Sequence, residues 1–213
     1  MANSQVGNHG GITSTVVRQT PGGNQLFAGS YVPVSTVAKD SVGGIAWVDG
    51  AEREYLDRLT EIRHRNGRCQ EEIEVLVELA RHYLACGSSE LTMKTLEDAR
   101  RSAEIVYGGQ HAMVAELMVE LGFVSFKMQE YETAREYLEP AVVIFEQSYG
   151  KVSDQVAFAF HKLGRVYEAT NNLEQAQKYY QKAVTTYQNT FNEDESEMLM
   201  ARNDLARLKS SNQ

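Results

Sequence analysis

The sequence repeats itself at an interval of 42 residues, and this period limits the chain to a stack of similar units. A step of 42 places Gly164 on Gly122, and a second step places Gly122 on Ala80. The period has one departure, since Ala134 falls on Thr92. A fixed period of about 20 to 50 residues is typical of repeat arrays, in which each unit shields the next. We therefore expect a stacked array.

Apolar residues at helical spacing predict two helices in each unit, joined by a short link. Small residues fall where the two helices must approach each other. Pro140 lies inside one of the helices, and it predicts a kink near residues 136–140 or a broken turn there. The predicted pairs are 70–85 with 89–107, 111–128 with 131–148, and 153–169 with 173–190.

The ends of the chain depart from the full repeat. Residues 1–46 are rich in Gly, Ser, Thr and Asn without periodicity, and they predict a flexible low-complexity tail. Trp47 either packs at the start of the first half-repeat or folds back as a pseudo-ligand, and both readings stay open. The predicted solenoid spans 47–209: a half-repeat at 47–66, repeats at 68–108, 110–150 and 152–192, and a capping helix at 194–209.

The charge and the cysteine content limit the partners and the location that we expect for the protein. The formal net charge is −8, and residues 1–50 hold only four of the charged side chains. An acidic balance argues against nucleic acid as the partner, and the absence of a long apolar run argues against membrane insertion. Cys69 and Cys86 are predicted about 25 Å apart along one helix, too far to pair. We expect a reducing, cytoplasmic location, although residues 1–39 partly match an organellar transit peptide.

These small and aromatic positions resemble the tetratricopeptide repeat. Leu163-Gly164 is followed by Tyr167, and Ala176, Tyr180 and Ala183 come in the next helix. The 42-residue period is similar to that of the kinesin light chains, whose helices are longer than usual. The resemblance implies an all-α fold: a right-handed superhelix of three helix-hairpin repeats with half-repeat caps, whose first helices line a concave groove.

The same resemblance implies a binding groove for a peptide or a partner helix. Its first half is acidic and its later half combines cations with aromatic rings, which would suit a ligand basic at one end and acidic or aromatic at the other. A merely solvated charged face is the alternative. The groove residues implied are Glu78, Arg81, Glu120, Phe123, Lys127, Phe158, His161, Lys162 and Arg165, with Glu74, Glu116, Asp204 and Arg207 beside them.

The sequence contains few residues whose spacing suggests catalysis or metal binding. His161 is the one candidate for acid–base work, with Glu120 and Lys162 expected nearby, but no nucleophile pattern accompanies it. His82 and Cys86 have a spacing that could present two metal ligands, whereas structural zinc needs four. Glu71-Glu72 is interpreted as a pair of acids at a helix start, favoured by the helix dipole. We expect no enzyme, no cofactor and no metal.

The function expected from these observations is that of a non-catalytic adaptor or scaffold. It would bind a protein segment in its groove, and the kinesin-light-chain likeness suggests motor-cargo or cytoskeletal assembly. The alternative is a structural subunit permanently packed inside a larger multiprotein complex.

Overall fold

A computed structural model describes residues 50–190 and 196–211, and the predictions for the tail at 1–46 and for Trp47 lie outside these ranges. The described residues form eight α-helices. They are α1 Gly50–Asn66, α2 Gln70–Ala85, α3 Ser89–Tyr107, α4 Ala112–Lys127, α5 Tyr131–Tyr149, α6 Asp154–Ala169, α7 Leu173–Asn189 and α8 Ser196–Ser211.

The helix boundaries reproduce the 42-residue period. Helices α2, α4, α6 and α8 all have 16 residues, and each begins 42 residues after the one before it. Helices α3 and α5 likewise share one length and the same offset. Consequently α8 is a fourth first helix without a second helix after it in the described chain, and α1 takes the place of a second helix. The prediction of three hairpins with half-repeat caps is confirmed.

The helices form an open stack. Among the described helices, substantial packing joins each helix to the next one in sequence, and α4 also touches α6. One continuous apolar core runs from α4 through α8, and it buries small residues such as Ala134 and Ala176 beside large ones such as Tyr180. A closed four-helix bundle would also pack its first helix against its last, so this pattern indicates a solenoid.

The two helices of a hairpin approach most closely at the glycines that the sequence singled out. A Cβ atom added to Gly164 would lie 2.5 Å from Cδ1 of Tyr180. One added to Gly122 would lie 2.8 Å from Cγ of Leu138 and 3.2 Å from the carbonyl oxygen of Ala134. The two carbon–carbon distances are shorter than an ordinary contact, so a side chain at either glycine would require its neighbours to shift.

The links inside the three hairpins have the same backbone turn. Gly87, Gln129 and Asn171 lie one period apart, and their φ angles are 76°, 64° and 59°. Each therefore ends its first helix in the left-handed conformation, which glycine and asparagine adopt most readily.

Pro140 does not break its helix. Helix α5 runs without interruption from Tyr131 to Tyr149 around it, so the expectation of a broken turn is wrong. Both Pro140 and Glu136, whose carbonyl loses its helical hydrogen bond, are exposed. Water can satisfy that carbonyl, which explains why the proline is tolerated.

Helix α1 is fastened to the first hairpin by an ion pair whose carboxylate is buried. Arg63 Nε donates to Oε1 of Glu72 over 2.6 Å, and Arg63 Nη2 donates to Asp98 over 2.7 Å. The Glu72 side chain is fully buried. The interpretation of Glu72 as a helix-start acid was therefore incomplete, because its main partner is a cation on the neighbouring helix.

Candidate functional site

The predicted groove residues lie on one face of the first helices, which we term the groove face. Glu78 and Arg81 come from α2, and their counterparts one period later, Glu120 and Phe123, come from α4. Positions three residues apart share a helix face, and the fixed period brings equivalent positions into line on successive first helices. The remaining predicted residues extend this face along α4 and α6: Lys127, Phe158, His161, Lys162 and Arg165.

Cations and aromatic rings are combined where α4 and α6 meet. The Nζ atom of Lys162 lies 4.4 Å from the ring centroid of Phe158 and 5.3 Å from that of Phe123. Lys127 Nζ lies 5.0 Å from the same Phe123 ring. Cations at these distances are attracted by the negative face of the ring. The structure thus brings together four of the predicted site residues in one cluster.

Arg165 completes this cluster through an aromatic residue outside the predicted set, Phe126. The Cζ atom of Arg165 lies 4.9 Å from the ring centroid of Phe126. The Phe126 ring also packs against Tyr131, with 5.7 Å between the ring centroids, and it lies against the apolar core. Together with Phe123, Lys127, Phe158, Lys162 and Arg165, Phe126 forms what we call the cation–aromatic cluster.

No ion pair within the described residues joins Lys127, Lys162 or Arg165 to a carboxylate. Burial lowers the pKa of Lys162, and repulsion from Arg165 lowers it further. The nearby Glu120 offsets this only in part, because burial raises the pKa of the Glu120 carboxyl to about 8. Burial and the neighbouring Arg165 thus both disfavour the charged form of Lys162.

The acidic half of the groove face is less open than the sequence suggested. Glu78 forms an ion pair with Arg58 of α1 at 3.3 Å. Glu116 accepts a hydrogen bond from the hydroxyl of Tyr149, and burial raises the pKa of Glu116. Arg81 is half-buried and its charge acts on Glu120. Some of these acidic side chains therefore already interact with other residues of the chain.

His161 is held by α8. Its Nε2 atom donates to Oδ2 of Asp204 over 2.9 Å, and only 3% of the residue is exposed. Burial lowers the pKa of His161, and the hydrogen bond to Asp204 acts in the opposite direction. Its carboxylate partner is therefore Asp204 and not Glu120, which was the acid expected nearby.

An open cleft of about 610 Å³ lies beside the cation–aromatic cluster. In its lining, Nη1 and Nη2 of Arg207 donate to the two oxygens of Glu168, over 2.5 Å and 3.0 Å. The hydroxyl of Tyr180 donates to the same carboxylate over 2.7 Å. Glu168 was missed from the sequence because periodicity does not reveal contacts between helices. The cleft is lined by Phe126, His161, Arg165, Glu168, Ala169, Tyr180, Met200, Asn203, Asp204 and Arg207.

The pair considered for metal binding lies at the C-terminal end of α2. Cys86 Sγ is 3.8 Å from Nε2 of His82. Within residues 50–190 and 196–211, no three His, Cys, Asp or Glu side chains come together as a metal site. In the same ranges no helix is both long and apolar enough to cross a membrane.

The stacked hairpins and their common face define an α-helical repeat solenoid. Residues 113–189 match the family model described as tetratricopeptide repeat. This match covers 77 of the 213 residues, and the fold of the described helices is similar to that of tetratricopeptide repeat proteins. A search of the curated proteins gave no match.

Two solved structures share the fold. The crystal structure of BtubC (BKLC) from P. vanneervenii has a TM-score of 0.69 at 19% identity, covering 76% of this chain and 65% of that protein. A Podosopora anserina protein with nearly identical TPR-like repeats, described as a kinesin light chain, has a TM-score of 0.59 at 20% identity. That match covers 76% of this chain and 82% of the other. This chain therefore spans slightly less than two thirds of BtubC.

Proposed function

We propose that the chain is a non-catalytic adaptor that binds a segment of a partner protein on its groove face. Tetratricopeptide repeats generally mediate interactions between proteins. The observation that carries the proposal is the cation–aromatic cluster, in which three cations rest on rings and none forms an ion pair with a carboxylate of the described chain. A carboxylate from a partner would supply the missing counter-charge.

The chemistry of the proposed ligand follows from the cluster and the cleft beside it. An acidic side chain would contact Lys127, Lys162 or Arg165, and an aromatic side chain would stack beside Phe123 or Phe126. The exposed carboxylate of Glu74 lies one period before Glu116, at the acidic end of the face. The ligand is therefore expected to be acidic and aromatic at one end and basic at the other.

A role in motor-cargo or cytoskeletal assembly is the finer part of this proposal. Its support is the shared fold with the protein described as a kinesin light chain, together with the 42-residue period. A cytoplasmic location belongs to the same proposal.

A display library of random peptides, selected on the purified chain, tests the proposal. Selected peptides should be enriched in Asp, Glu and aromatic residues. They should bind the double variant Lys127→Glu, Arg165→Glu at least about tenfold more weakly, because like charges then oppose each other. The matched control, Lys151→Glu with Lys178→Glu, makes the same change in net charge at exposed positions outside the groove face. Equal binding to both variants would refute the groove face as the binding surface.

A further inference from the structure

The two end helices are complementary halves of a hairpin. Helix α8 has the length and register of the first helices α2, α4 and α6. Helix α1 lies one period before α3 and so has the register of a second helix. In the described chain neither has the partner that would complete its hairpin, since α1 packs on α2 and α8 packs on α7. Each end therefore presents the face that the other type of helix normally covers.

The free face of α1 is acidic. In α3 the residues that face the first helix of the hairpin include Leu96, Ala99 and Ala103, and they are buried. One period earlier, the same positions of α1 hold three exposed carboxylates, Glu54, Asp57 and Glu61. Spacings of three and four residues place them on one side of the helix. We call this set, together with the neighbouring exposed Arg53, the α1 end face, and its net charge is −2.

The free face of α8 is basic. In α6 the residues that contact α7 include Phe160 and Tyr167, whose rings lie 6.0 Å and 5.2 Å from that of Tyr179. One period later these positions hold Arg202 and Lys209, and both are exposed. Leu199 and Ala206 lie on the same stripe, which we call the α8 end face.

Apolar and small residues on the α8 end face support a contact there. Leu199 is 57% exposed, although its counterpart Ala157 in α6 is fully buried. Ala206 takes the position of Gly164, and Gly50 on α1 takes the position of Thr92. In the internal hairpins, small residues at the Gly164 position allow the two helices to approach closely. Helices α8 and α1 therefore have the small residues that would let them approach each other as closely as the two helices of an internal hairpin.

We propose that the α8 end face of one copy binds the α1 end face of a second copy and completes a fourth hairpin between them. The net charges of the two faces are opposite, +2 on α8 and −2 on α1. Because Arg53 repels the cations of α8, the attraction comes from the net charges of the two faces and not from individual ion pairs. We therefore expect a weak contact that salt disrupts. Because the two faces differ, the contact is head to tail and can continue from copy to copy. The groove face would then run on from α8 into the α2 of the next copy.

Sedimentation velocity of the chain over a range of concentrations tests this proposal. The average mass should rise with concentration at about 20 mM salt and fall to that of a monomer at about 500 mM salt, where charges are screened. The variant Arg202→Glu, Lys209→Glu should lower the association constant at least about tenfold. So should the variant Glu54→Lys, Glu61→Lys. All four side chains are exposed, so circular dichroism should show unchanged helix content.

Mixing the two variants separates a specific contact from general charge effects. Each variant alone opposes like charges, whereas an equimolar mixture restores an acidic face opposite a basic one at every contact, so association should return. The control Lys151→Glu, Lys178→Glu should associate like the wild-type chain. A monomer at every concentration in low salt would overturn the proposal, and so would a mixture that remains monomeric.

Discussion

Replacing Gly164 with alanine should destabilise the third hairpin, even though alanine is the better helix former. The new Cβ would lie 2.5 Å and 2.6 Å from Cδ1 and Cε1 of Tyr180, about 1 Å inside an ordinary carbon contact. The ring cannot move aside easily, because Tyr180 is fully buried and its hydroxyl donates to Glu168 over 2.7 Å.

The size of the effect follows from two opposing contributions. Overpacking in a dense core costs about 1–3 kcal/mol, and a clash with two ring atoms belongs at or above the top of that range. Exchange of glycine for alanine inside a helix returns about 1 kcal/mol. We therefore expect the free energy of unfolding to fall by about 2 kcal/mol, which lowers the melting temperature of a chain of this size by about 4–8 °C.

Urea denaturation followed by circular dichroism measures this change, and two further variants locate its cause. Gly122→Ala should destabilise the chain less, because the atoms it meets belong mainly to Leu138, a flexible side chain. Tyr180→Leu introduces the residue found one period earlier, so in the Gly164→Ala background it should offset at least about 1 kcal/mol of the clash in a double-mutant cycle. A Gly164→Ala chain as stable as the wild-type chain would refute the close approach of the two helices.

Three further predictions concern carboxyl groups that contact neighbouring helices. The stability of Glu120→Gln relative to the wild-type chain should rise by on the order of 3 kcal/mol from pH 5 to pH 8. The cause is that the folded carboxyl keeps its proton to about pH 8, while the unfolded one loses it near 4.5. Urea denaturation measures this difference, and a difference that does not change with pH would contradict the prediction. Arg63→Met should lower the free energy of unfolding by about 3 kcal/mol, because it leaves the Glu72 carboxylate buried and unpaired. Adding Glu72→Met should restore most of that stability in the same assay. No recovery would count against the ion pair. Glu168→Gln should speed hydrogen exchange in α8 but not in α2, since it weakens the Arg207 contact; unchanged exchange in α8 would show that other contacts hold that helix.

Much of the fold was predictable because a stack of repeats encodes its geometry locally. The spacing that aligned Gly122 with Gly164 also fixed the helix boundaries, and both glycines lie at the close approaches expected of them. Of the two outcomes expected at Pro140, a kink or a broken turn, the broken turn is wrong. The sequence does not show that this side of the helix faces water.

Side-chain partners across helices were harder to predict than the helices themselves. Periodicity placed Lys162 and Phe123 on a common face, but it could not show that Phe126 serves both the core and Arg165. The pairing of His161 with Asp204 was missed for the same reason, since it joins residues 43 positions apart on different helices. Distances of this kind depend on how the helices pack, which no single segment of sequence specifies.

Hydrogen exchange of the chain with a library-selected acidic peptide tests the central claim most directly. If the first helices form the binding surface, the peptide should slow exchange in α4 and α6 around the cation–aromatic cluster and leave the second helices α3 and α5 unchanged. Slower exchange confined to α3 and α5, or no change in α4 and α6 at saturating peptide, would contradict it.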